Sequence, residues 1–171
     1  SLCTWCERTG AGLHERIALF LQLCDAVQYA HRNLVIHRDL KDSNVLVDES
    51  GTLKLLDFGI AKSLTTMADG GHTAAQDRFF SPMTAAPEQL RGERATVAVD
   101  VYALGVLLHQ LLCGVLPFAR PHRDPADLQR AILEAVPPKM STVVLQVTAE
   151  QVKPDVASLP VTAQALRGEL D

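Results

Sequence analysis

The chain has 171 residues, 47% hydrophobic and 21% charged, with a formal net charge of −4. That is about one domain's length, and the composition is that of a globular protein rather than a disordered tail. A mildly acidic balance with scattered basic residues gives no general attraction to nucleic acid or anionic lipid, so neither is an expected partner.

In chain order, Cys3-Thr-Trp-Cys6 comes first. A CxxC pair suits redox chemistry or half a zinc site. No second CxxC or HxxxH pair completes a tetrahedron here, and no strand precedes the motif. Cys3, Cys6, Cys24 and Cys113 therefore read as reduced thiols, which favours a cytoplasmic setting. Gly10-Ala11-Gly12-Leu13-His14-Glu15 begins like a phosphate-binding glycine loop but lacks the last glycine and a preceding strand. It reads as the start of a helix.

That helix is predicted from Leu13 to about Arg32, with Leu13, Ile17, Phe20, Cys24, Val27 and His31 on one face and Leu19, Leu21 and Leu23 widening the stripe. Asn33 is the expected stop, in a left-handed turn. Val45-Leu46-Val47 and Leu53-Lys54-Leu55-Leu56 flank Asp48-Glu49-Ser50-Gly51 and predict a β-hairpin. Residues 65–80 have no period and read as a loop. A helix from Val97 to Cys113 is ended by Gly114, with Pro117 beyond, and a shorter one covers Pro125 to Ala135. The rest, from Pro137, reads as loop or linker with a last helix over Thr162 to Leu170. No basic-then-apolar leader is legible, and the apolar run Val101 to Leu108 is too short to cross a bilayer.

The chemistry lies in residues 31–44, HRNLVIHRDLKDSN, where His-Arg occurs twice. The first copy closes the helix, its histidine facing the core, and the repeat reads as coincidence. The second opens a loop in which Asp39 and Asn44 stand five apart just before a strand. Thirteen residues past Asn44 comes Asp57-Phe58-Gly59, which the hairpin returns beside it. Converging acid and amide oxygens suit Mg²⁺, Asp39 is left to accept a proton, and Lys41 adds a cation. This is the set that phosphoryl transfer needs.

His37-Arg38-Asp39-Leu40-Lys41-x-x-Asn44 resembles the catalytic loop of the eukaryotic-like serine/threonine protein kinases of bacteria, and Asp57-Phe58-Gly59 resembles their metal-binding motif. Ala86-Pro87-Glu88 resembles the end of the activation segment, and Asp100-Val101-Tyr102-Ala103-Leu104-Gly105 the start of the central helix of the large lobe. All four stand in the family's order.

The resemblance implies a mainly α protein-kinase-like fold with a short β-hairpin, the large lobe alone. It implies ATP and Mg²⁺ as cofactors and a protein Ser/Thr hydroxyl as substrate. Asp39 would accept the hydroxyl proton, Lys41 steady the transferred phosphoryl, and Asn44 and Asp57 hold the metal against the nucleotide. Arg38 would pair with a phosphate on the activation loop; His37, Phe58 and Gly59 would be structural. Asp100 would cap backbone amides of the catalytic loop. Glu88 would pair with an arginine, though none stands in a recognisable setting. Ser81, at the usual Thr-Pro position, would contact Asp39 and Lys41. Two further positions depart from the family pattern: Asp42 replaces a usual proline, removing rigidity from the turn, and Thr84 a usual tyrosine or another large residue.

None of the five lysines stands in a strand upstream of the loop, and no complete glycine-rich loop is present. The expectation is a partial kinase domain over residues 1–136, with residues 137–171 linker-like. Such a chain would bind ATP poorly and turn it over negligibly alone. Two alternatives are a catalytically dead kinase-like binding module (or a gene remnant) and a small-molecule phosphotransferase. The latter class lacks Ala-Pro-Glu.

Overall fold

Caps and glycines set the limits of the elements. A computed structural model describes residues 1–57, 81–118, 124–150, 161–168 and 170. It is mainly helical with one two-stranded antiparallel sheet: α1 (Leu2–Thr9), α2 (Leu13–Arg32), a 3₁₀ turn (Asp42–Asn44), β1 (Val45–Val47), β2 (Leu53–Leu55), α3 (Pro87–Leu90), α4 (Val97–Cys113), α5 (Pro125–Glu134), α6 (Met140–Glu150) and α7 (Ala163–Leu166). The expected loop over 65–80 lies outside the described residues. None of the described helices is long and apolar enough to cross a membrane.

The glycine-rich stretch is a helix–helix junction. Gly10 ends α1 at φ 67, and the Gly12 N–H donates to Glu15 Oε2 at 2.9 Å to begin α2. At the far end of α2 the left-handed residue is not Asn33 but Leu34. Asn33 has φ −94 because its side-chain amide donates to the Tyr29 carbonyl at 2.8 Å and keeps it near helical geometry. The chain reverses one residue later, at Leu34 with φ 60.

The stripe on α2 is also rotated from the predicted one. Arg16, Leu19, Leu23, Val27 and Ala30 are buried, whereas Leu21 is 57% exposed. The reason is that α2 serves two cores at once. Leu19, Leu23 and Val27 enter a cluster with Leu2, Cys6, Leu40, Val45, Ala103, Leu107 and Leu111. Leu13 and Ile17 instead flank a second cluster of Leu112, Cys113, Val143, Val144, Val161, Ala163 and Leu166.

Arg16, a charged residue inside this stripe, caps neighbouring chain ends. Its Nε donates to the Ala11 carbonyl at 2.8 Å and its guanidinium to the Leu111 carbonyl at 2.6 Å. Leu111 lies in the last turn of α4, where carbonyls lack helical partners and the dipole favours a cation.

The helix α4 is apolar nearly all round, as a helix buried between two cores must be. Ala103, Leu107 and Leu111, four apart, face the first cluster, and Leu112 and Cys113 the second. Thr96 Oγ1 accepts from the Ala98 N–H at 3.3 Å at its start, and Gly114 at φ 74 ends it. The predicted hairpin forms, with Val45 opposite Leu55 and Val47 opposite Leu53. Asp48 closes its turn by accepting from the Ser50 hydroxyl at 2.6 Å and the Thr52 N–H at 3.1 Å. These bonds, the Ser50 hydroxyl first, push its carboxyl down to about 2.

The predicted loop after Pro137 is corrected: Met140 to Glu150 is helical. Its valines and threonines argue locally against a helix, but Val143 and Val144 bury against Leu112 and Cys113, and packing overrides weak propensity. The last helix is shorter than predicted, Ala163–Leu166.

Candidate active site

The site is organised around a buried acid in the first turn of α4. Asp100 is 1% exposed, and such a carboxylate is costly unless its oxygens are bonded. Its Oδ2 accepts from His31 Nε2 at 2.7 Å and from the His37 N–H at 2.8 Å, and its Oδ1 accepts from the Arg38 N–H at 2.8 Å. The two His-Arg copies thus meet at one carboxylate, and the reading of the repeat as coincidence misses this. The missed signal was Asp100 itself: a buried acid requires donors, and the end of α2 supplies one.

His37 ties the loop to the hairpin. Its Nε2–H donates to the Leu56 carbonyl at 2.9 Å, while its Nδ1 accepts from the Asp39 N–H at 3.4 Å. The Leu56 N–H in turn donates to the Asn44 carbonyl at 2.9 Å. Asp57, next in the chain, is exposed and left-handed at φ 53. It follows directly on the backbone bond to Asn44. Phe58 and Gly59 lie outside the described residues.

Asp39 is half-buried in this loop. Lys41 Nζ donates to its Oδ2 at 2.9 Å, and the Ser81 N–H to its Oδ1 at 3.4 Å. Ser81 therefore meets Asp39 through its backbone. Asn44 is buried and donates its side-chain amide to the Asp39 carbonyl at 2.9 Å. That bond uses the amide nitrogen and leaves the oxygen as the acceptor end of the side chain.

Asp42 was expected to loosen the turn by replacing proline. Instead its Oδ1 accepts from the Cys3 N–H at 2.8 Å, pinning the 3₁₀ turn to the N-terminus of α1, where an acid is favourable. Burial, reinforced by the Asp42 carboxylate, pushes the Cys3 thiol far up; burial also raises those of Cys6 and Cys24. Thiols held protonated in this way are poor nucleophiles and poor metal ligands.

On the other side, Ala86 caps α3, with Pro87 in its first turn. Gln89 accepts from the Ala86 N–H at 2.9 Å and donates to the Arg38 carbonyl at 3.1 Å. Glu88 makes no ion pair among the described residues. It lies near Tyr102, whose phenol is raised by burial and then by this carboxylate.

A half-buried carboxylate bonded to a lysine, together with an amide oxygen and a second acid that follows the Leu56–Asn44 backbone bond, is a set that can orient a hydroxyl and hold a hard cation. Residues 3–161 match the protein kinase domain family. The chain belongs to that family. It is 38% identical over 148 residues to the probable serine/threonine-protein kinase PknB of Lactococcus lactis, covering 81% of this chain and 23% of that protein. It is 34% identical over 151 residues to the serine/threonine-protein kinase PrkC of Bacillus subtilis, covering 81% of this chain and 22% of that protein. The kinase chain thus spans under a quarter of the length of these relatives.

Proposed function

We propose that these residues are the large-lobe part of a protein kinase domain that transfers phosphate from ATP to Ser or Thr hydroxyls of protein substrates. The observation that carries this reading is the position of Asp39: a half-buried carboxylate bonded to Lys41 at 2.9 Å, on a loop whose backbone is bonded to Asp100. In the proposed mechanism Asp39 orients the substrate hydroxyl and accepts its proton. Lys41, already bonded to Asp39, places its positive charge where the transferred phosphoryl develops negative charge.

The donor set fits Mg²⁺. Asn44 uses its nitrogen on the Asp39 carbonyl and so presents its oxygen, and Asp57 follows the Leu56–Asn44 backbone bond. Both are hard oxygen donors, and Mg²⁺ takes its remaining ligands from water and phosphate. When bound, the ion would neutralise phosphate charge. Arg38 would receive a phosphate carried on the segment before Ser81. Glycine-rich and lysine-bearing strands that cover ATP in kinases would complete the nucleotide site, so transfer is proposed for a polypeptide that includes them.

The test is Mg-ATP-dependent phosphorylation of a generic protein substrate such as casein by the intact gene product, with phosphoamino-acid analysis. Phosphoserine or phosphothreonine that disappears in Asp39→Asn is the expected result. Transfer that survives in Asp39→Asn would overturn the assignment.

A further inference from the structure

Gln89 stands outside every sequence motif that points to chemistry, yet it holds the peptide that leads into Asp39. Arg38 has φ 68, a left-handed conformation that is strained for a residue with a Cβ. Such a conformation persists where the surroundings over-determine it. Here both flanking peptides are held. The N–H of Arg38 donates to Asp100 Oδ1 at 2.8 Å, and its carbonyl accepts from Gln89 Nε2 at 3.1 Å.

The carbonyl matters because it lies in the same peptide plane as the Asp39 N–H, and that plane sets the direction in which the Asp39 side chain leaves the backbone. A longer bond from the Asp39 N–H to His37 Nδ1, 3.4 Å, also grips this plane. Gln89 cannot turn its amide over, because its oxygen already accepts from the Ala86 N–H at 2.9 Å. The same segment touches Asp39 directly through the Ser81 N–H at 3.4 Å. Placing residues 81–90 and aiming the carboxylate are therefore one event.

We propose that Gln89 is a positioning residue: through the Arg38 carbonyl it couples the start of α3 to the orientation of Asp39. The catalytic consequence rests on the reading of Asp39 as the proton acceptor.

Gln89→Glu separates the two bonds, since a carboxylate still accepts from the Ala86 N–H but cannot donate to Arg38. Gln89→Met removes both. The primary measurement is residue-resolved amide hydrogen exchange on the purified chain. In Gln89→Glu the α3 amides are expected to keep their protection while the Arg38 and Asp39 amides exchange roughly three- to tenfold faster, the effect of one lost hydrogen bond. Gln89→Met is expected to accelerate both regions. Wild-type exchange at Arg38 and Asp39 in Gln89→Glu would overturn the proposal, and that variant decides the matter even if Gln89→Met fails to fold.

The second measurement is steady-state transfer by the intact gene product, where Gln89→Glu is expected to lower kcat with KM for ATP unchanged. Faster exchange with an unchanged kcat would overturn the positioning role. A wild-type protein with no transfer would instead overturn the reading of Asp39, leaving exchange to decide whether Gln89 holds the peptide.

Discussion

His31 and Asp100, 69 positions apart, meet at 2.7 Å through Nε2 and Oδ2. The same carboxylate holds the backbone of His37 and Arg38, so the end of α2, the first turn of α4 and the loop bearing Asp39 share one anchor. Asp100→Asn removes the charge and sets an amide against at least one N–H. We expect a loss of about 3 kcal/mol by chemical denaturation, as for a broken buried charge network. His31→Leu leaves both backbone bonds intact and is expected to cost less, about 1 kcal/mol. Equal losses would contradict the central place given to the backbone bonds.

Leu34 is the clearest site for stabilisation. It sits at φ 60 and is 93% exposed, so its side chain buries almost nothing while its Cβ strains the turn. Leu34→Gly is expected to raise stability by about 0.5–1 kcal/mol, the left-handed penalty less the extra entropy of glycine in the unfolded chain. A lower unfolding midpoint in Leu34→Gly would show that Leu34 makes a contact that offsets the strain.

Much of the local order was legible because it depends on neighbouring residues. Gly114 and the apolar pattern mark the end of α4, and the Asp48–Gly51 turn marks the hairpin. The illegible parts depended on distant partners. The valines of α6 argue for no helix until Leu112 and Cys113 bury them, and the stripe on α2 turns because two cores compete for it. In the site, the spacing of Asp39, Lys41, Asn44 and Asp57 was readable in one stretch of chain. Gln89 and the bond from Asp42 to Cys3 span 51 and 39 positions, and no periodicity signals contacts of that kind.

His109 predicts a pH dependence. It is 4% exposed, one ring nitrogen bonds the Val115 carbonyl at 2.9 Å, and Nε2 has no partner among the described residues. Burial pushes its pKa below the ordinary 6.5, against the opposing effect of the Val115 bond. The unfolded chain then takes up a proton at higher pH than the folded one. This contribution is complete above about pH 6.5 and is lost as pH falls below it, at up to about 1.4 kcal/mol per unit. The stability difference between wild type and His109→Leu is therefore expected to shift toward the variant from pH 7 to pH 5. A difference independent of pH over that range would contradict the burial of a neutral ring.

We propose Asp39 as the group on which phosphoryl transfer depends. The most direct measurement compares the intact gene product with its Asp39→Asn variant, following Mg-ATP-dependent transfer to protein Ser/Thr and, in parallel, nucleotide affinity. Transfer is expected to fall by about 10²- to 10⁴-fold with affinity for Mg-ATP nearly unchanged. Transfer by Asp39→Asn at the wild-type rate would contradict that dependence.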